Sequence, residues 1–334
     1  MKKKISLLIC SALSLGLLCS CGIEPAEDFD SSPVENAYNN YHNGGKLAFK
    51  DGNLYLVNTF LDNAESGVYK INADGFENFY PLDSFTDDTF PEFMSLYNTD
   101  GKFYAKNLNE NKLCIFDESS KSFNSSEYDL KLENNSFYLG KDYVVAPDSF
   151  NEDGVELKVV KDGKSQKIDY TFVNYYIADD KIYGSGTDEK MCCYDISSEK
   201  FDEVAKVWID PMTDKFFAAN GYCYSHDETG SSGTGFYRHD VKQGTELLLT
   251  DKTVNAINGY ESKVYLSTDD GIYCFDGTNT ARISDLKADE LYIVDSDWLY
   301  ALNTKTGELY RISMGNGKTE VVNWFSPGSA DQAK

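Results

Sequence analysis

The chain is poor in proline, with 7 in 334 residues, and poorer in histidine, with 3. Few prolines leave room for long ladders of backbone hydrogen bonds, and few histidines narrow the means of acid–base work near neutral pH. Cysteine follows neither a disulfide nor a zinc pattern. Cys114, Cys192, Cys193, Cys223 and Cys274 are an odd set with one vicinal pair and no C-x2-C spacing. They read as buried free thiols. Basic charge is short as well: 31 Lys and Arg face 55 Asp and Glu, a formal charge of −24. Such a surface repels nucleic acid and anionic lipid headgroups. No G-x-S-x-G elbow, P-loop or H-E-x-x-H motif occurs, and residues 46–325 hold no sustained 3.6-residue apolar period. These absences argue against a helical fold and predict neither a cofactor nor a bound metal.

The first twenty residues differ in kind. "MKKK" is a basic start, and "ISLLICSALSLGLL" is apolar but too short for a comfortable span of about 20 residues. It runs into Leu18, Cys19, Ser20, Cys21 and Gly22. That stretch resembles the lipobox of bacterial lipoproteins. The resemblance implies that residues 1–20 are a signal peptide and that Cys21 is acylated. The mature chain would then be extracytoplasmic, lipid-anchored to the cell membrane, or to an outer membrane where the host has one. Loss of Lys2, Lys3 and Lys4 would leave 55 acidic against 28 basic residues, a formal charge of −27. Residues 21–45, acidic and Asn-rich, read as the lipidated Cys followed by a flexible tether, and residues 326–334 as a disordered tail.

Between the flanks, one phrase returns. It aligns at "GVYKINADG", "KLCIFDESS", "VELKVVKDG", "KMCCYDISS", "GFYRHDVKQ", "GIYCFDGTN" and "GELYRISMG". Its apolar anchors are Val68, Leu113, Leu157, Met191, Phe236, Ile272 and Leu309, spaced 45, 44, 34, 45, 36 and 37 residues apart. Upstream of each lies a partner strand such as "GNLYLVN", "SKVYLST" or "DWLYALN". Alternating apolar and polar residues with Gly, Asn and Asp in the turns mark β-hairpins. A shorter apolar stretch precedes each hairpin and a fourth strand follows most of them, "SEYDLKL" and "ELLLT" among the examples. Four strands per repeat of about 40 residues predict an all-β fold, a β-propeller of seven four-stranded blades over 46–325, with six or eight permitted by the irregular third repeat. The Tyr and Phe of the phrase are then packing residues, and the ring closes by packing of the first blade on the last.

At "KVYLSTDDGIYCFDG" and "GELYRISMGNGKTEVV" the wording resembles YWTD-type propellers of the low-density-lipoprotein-receptor kind. Bacterial lipoproteins with related propellers are similar too. The resemblance implies the fold and a lack of enzymatic activity, and no particular binding residue.

Loops carry function more often than strands do. Loops joining second to third strands share a face with the connections between blades. There the sequence gathers Asp87, Asp88, Asp153, Asp188, Trp208, His226 and Asp227, carboxylates with an exposed aromatic and an imidazole. Such a face suits an extracellular protein or glycan partner. The expectation is a non-catalytic surface lipoprotein that binds through this acidic face. The alternative is a propeller hydrolase or lyase acting on cell-wall or dietary carbohydrate, which needs converging carboxylates.

Overall fold

Each copy of the repeated phrase is the third strand of a four-stranded antiparallel sheet. The computed structural model describes residues 23–35, 37–83, 91–128, 130, 137–178, 180–186, 191–203, 216–227, 233–240 and 242–325. Seven sheets cover 47–81, 97–125, 138–172, 174–203, 217–250, 254–284 and 290–321, each in simple strand order. They are blades 1 to 7 of a β-propeller, the architecture that the repeat predicts.

Burial falls from the axis outward, and blade 1 shows why the strands differ in composition. Its inner strands, Leu47–Lys50 and Asn53–Asn58, are almost wholly buried, whereas the outer strand Gly75–Pro81 is mostly exposed. The paired apolar and Tyr positions of the second strands are spent on packing between blades. Leu54, Phe103, Ile182, Cys223, Val264 and Leu299, and the tyrosines that follow them, are at most 3% exposed. Several tyrosine hydroxyls reach a carboxylate beyond their own sheet, as buried phenols must find a partner. Tyr55 of blade 1 donates to Glu118 of blade 2 at 2.6 Å, and Tyr104 to Glu127 at 2.8 Å.

The irregular third repeat is blade 3, whose three outer strands run to 9, 8 and 9 residues. The register shifts at Pro147/Ser149 and Glu156/Lys158. A proline without an amide hydrogen and the extra residues of a bulge explain why its phrase aligns poorly. In blade 2 the fourth strand is Ser122–Ser125, ahead of the "SEYDLKL" that its apolar residues suggest. The Asp117 carboxylate accepts from the Ser119 amide at 2.8 Å, which turns the chain back at once.

The ring closes between blades 1 and 7. Leu47, Phe49, Leu54 and Leu56 share one core with Tyr292, Tyr300, Leu302 and Trp324. A second closure comes from the segment expected to be a tether, and here the structure corrects the sequence reading. Strand β1, Glu24–Pro25, pairs in parallel with the outer strand of blade 7, Glu24 opposite Glu320 and Pro25 opposite Val321. Phe29, 4% exposed, sits in the blade 7–blade 1 core. Val34 donates to the Val294 carbonyl and Ser296 to that of Ser32, both at 2.9 Å. Helix α1, Ala37–His42, then touches inner strands of five blades. Residues 23–35 and 37–45 are therefore a strap and a plug. The tail over 326–334 lies outside the described residues.

Candidate functional site

The plug runs along the axis. Glu35 accepts from the Asp100 amide, at a turn joining first and second strands, at 2.7 Å. Ten residues on, the Gly45 carbonyl accepts from the Leu96 amide at 2.9 Å, just ahead of the first strand of blade 2. The chain thus enters from the face of the short turns and arrives at the face of the long loops. Asparagine does the holding, because inner strands facing an axis have backbone groups to satisfy. Asn40 donates to the Ile293 carbonyl at 2.9 Å and accepts from the Ile293 amide and from Asn258 at 3.0 Å. Asn43 donates to the Ile257 carbonyl at 2.9 Å. The helix stops in a glycine-closed end: Gly44 donates to the Tyr41 carbonyl at 2.7 Å and Gly45 to that of Asn40 at 2.9 Å. Gly44 has φ +96°, and a Cβ on Gly45 would lie 2.5 Å from the Tyr97 ring. No other residue fits both positions.

This end sets an aromatic arc at the axial mouth on the loop face. Tyr41 lies 5.8 Å from Tyr97 and 5.7 Å from Phe137, centroid to centroid. His42 stacks on Tyr176 at 4.2 Å with 8° between planes, and Tyr176 meets Phe216 at 5.1 Å. The His42 ring keeps solvent contact while protein surrounds its other sides, and that desolvation lowers its pKa below the ordinary imidazole range. It is a neutral donor and acceptor at pH 7. Burial raises the Tyr41 phenol to about 12, so it stays protonated. Across the mouth stands a polar sector in which Lys46 pairs with Glu290 and Tyr292 donates to Glu290. Tyr97, Phe137 and Tyr176 are at most 6% exposed. The surface offered to a sugar ring or a peptide side chain is therefore that of His42, with the half-buried Tyr41 and Phe216, beside the polar sector.

The sequence analysis missed this arc, because His42 lies where composition suggests a tether. The adjacent glycines Gly44 and Gly45 were the available signal. Of the residues it did name, Asp153 is exposed in a blade 3 turn, its amide donating to Asn151 at 2.9 Å. His226 and Asp227 end the second strand of blade 5, half-buried, opposite Phe236 and Gly235. They lie on the same face as Asp153, two blades away. Asp87, Asp88, Asp188, Trp208 and Cys21 lie outside the described residues.

One constellation has catalytic spelling. Ser225 Oγ lies 3.0 Å from His239 Nε2, and His239 Nδ1 lies 3.6 Å from Glu246 Oε1. Ser225 and His239 are at most 1% exposed, so no substrate reaches the hydroxyl. The last contact is also too long for a hydrogen bond. Among the described residues no three His, Cys, Asp or Glu side chains converge as a metal site, and Cys114, Cys192, Cys193, Cys223 and Cys274 are free thiols.

No protein-family model matches the chain, and no curated protein matches it either. Among solved structures it is similar to puromycin hydrolase, at TM-score 0.55 and 10% identity over 91% of this chain and 58% of that one. It is also similar to the acylaminoacyl peptidase of Pyrococcus horikoshii, at TM-score 0.54 and 13% identity over 86% of this chain and 53% of that one. The chain spans little more than half of each. At such identity the likeness is one of fold. Among the described residues no helix is long and apolar enough to cross a membrane.

Proposed function

We propose that the protein is an extracytoplasmic lipoprotein, anchored through Cys21, that catalyses nothing and holds an extracellular protein or glycan on its loop face. The observation that carries this reading is the course of the strap. It begins beside the outer strand of blade 7, crosses the turn face and delivers His42 and Tyr41 to the opposite face. Cys21 precedes Glu24 by three residues, a reach of about 11 Å at full extension. An acyl group there keeps the ring close to the lipid, on the side away from the axial mouth. A short anchor on one face and an aromatic mouth on the other suit a rigid receptor held at a membrane surface.

Two experiments test it. A clickable palmitate analogue should label the wild-type chain in its host and not the Cys21→Ala variant; an unlabelled wild-type chain removes the anchor. A thermal melt of residues 22–334 against glycan fragments and cationic peptides should show a partner at about 100 times its Kd adding roughly 2.7 kcal/mol. The shift should vanish in Tyr41→Ala, and a shift that persists there moves the site off the mouth. Chromatography of the same glycans separates a binder from a hydrolase or lyase.

A further inference from the structure

The turn face carries a groove that the acidic composition does not foretell. It lies between blades 1 and 2, holds about 530 Å³, and is lined by Lys50, Lys70, Phe79, Lys102, Phe103 and the Asp117–Ser119 turn. Of its two carboxylates only Glu118 is neutralised by an ion pair. Glu118 pairs with Lys50 and accepts from Tyr55, and Asp117 accepts from the amide and hydroxyl of Ser119. Lys102 is paired with Glu127 at 2.7 Å. Two ammonium groups are left over. Lys70 stands 5.6 Å and Lys121 4.2 Å from the centroid of the same Phe79 ring. Among the described residues neither lies within ion-pair distance of a carboxylate, although Glu77 sits across the ladder from Lys70. In a chain of formal charge −24, the local sign is reversed.

Lys121 has φ +50°, at a turn position that holds Gly244 and Gly317 in blades 5 and 7, at +67° and +74°, and Glu199 in blade 4, at +58°. A side chain there costs conformational energy that glycine avoids. In return its Nζ donates to the Phe79 carbonyl at 2.8 Å and lies over the ring. The ammonium is thereby held against a ring that lines the groove.

We propose that this groove is an anion site for a phosphate group, held by Lys70 and Lys121 with the Asn124 amide at its edge. Lysine serves as a point charge for phosphate, and cation–π contact fixes both ammonium groups without neutralising them. The phosphate has two sources: a soluble phosphate ester, or the headgroup of an anionic phospholipid. The second follows from the position of the groove on the face where the strap begins, and only that arm rests on the anchored reading above.

The test uses residues 22–334, which hold every described residue of ring and strap. Binding of sn-glycerol 1-phosphate is measured by calorimetry, and co-sedimentation with phosphatidylglycerol vesicles is compared with pure phosphatidylcholine vesicles. Each is repeated with Lys70→Gln combined with Lys121→Gly. Glycine suits the +50° position, so the variant keeps its fold, which its melting curve verifies. The expected result is binding of at least one probe, weakened about tenfold or more in the variant, which removes both ammonium groups and so at least one charge-assisted contact. Glycerol phosphate without vesicles assigns the soluble source, and selective sedimentation assigns the lipid. Binding of neither probe, or equal binding by a folded variant, overturns the site while leaving the anchor and the axial mouth untouched.

Discussion

His239 decides how blade 5 responds to acid. Its ring is fully enclosed, Nε2 meets Ser225 at 3.0 Å, and Nδ1 has no hydrogen-bond partner. Burial lowers its pKa, and the nearby Glu246 and Asp227 only partly oppose that. A folded pKa below the unfolded value of about 6.5 means that the unfolded chain takes the proton first. The associated stability is complete above that pH and is lost as pH falls towards the folded value. His42 shifts in the same direction. The melting temperature should therefore fall between pH 7.5 and pH 5, above the range in which ordinary carboxylates titrate. His239→Gln should shrink that fall, leaving the part due to His42. An identical pH slope in wild type and variant would show that His239 is already solvated or already charged.

At the scale of elements, the strap is the piece whose role composition conceals. Arg311, 1% exposed, lies between Trp298 at 4.1 Å and Phe29 at 5.0 Å, with Nε 2.7 Å from Glu320. Its guanidinium also donates to the Asp28 carbonyl. Arg311→Ala should cost about 3 kcal/mol, the range for breaking a buried pair from one side. Asn40→Ala, which strands the Ile293 amide and carbonyl and takes one acceptor from Asn258, should cost a similar amount, about 3 kcal/mol. Both act on one strap, so the double variant should lose less than the sum, read from urea midpoints at constant m. Strict additivity would mean that strap and plug are held independently. The seven hairpins were legible because alternation, anchors and turn residues recur, each copy supporting the next. The strap was not. Asn39, Asn40 and Asn43 look like disorder in composition, yet two of them complete the inner strands' hydrogen bonds. A six-residue helix is also too short to show a period. Of the acidic loop residues, Asp153 and Asp227 were legible only as to face, whereas the axial arc needs His42 and Tyr176, 134 positions apart, to meet.

Over the whole molecule, the strap changes what kind of repeat protein this is. An open array has ends that fray, since each repeat touches only its neighbours. Here the ends are joined twice, through the core shared by blades 1 and 7 and through β1 on the outer edge of blade 7. The plug adds contacts to five of the seven blades, so none of those five can leave without disturbing the axis. The cysteines report on this, because three buried ones sit in different blades: Cys114 in blade 2, Cys193 in blade 4 and Cys223 in blade 5. Burial raises the thiol pKa of Cys114 and Cys223, so reagents should reach them only when the blade opens. Pulsed thiol labelling across a urea gradient, followed by mass spectrometry, should give coincident midpoints for all three. In the Arg311→Ala, Asn40→Ala double variant the seam is the weak point, and Cys114, nearest to it along the ring, should become reactive at lower urea than Cys193 or Cys223. Separate midpoints in the wild-type chain would mean that the blades unfold as an open array despite the joined ends, and the strap would then be decoration on a fold that does not need it.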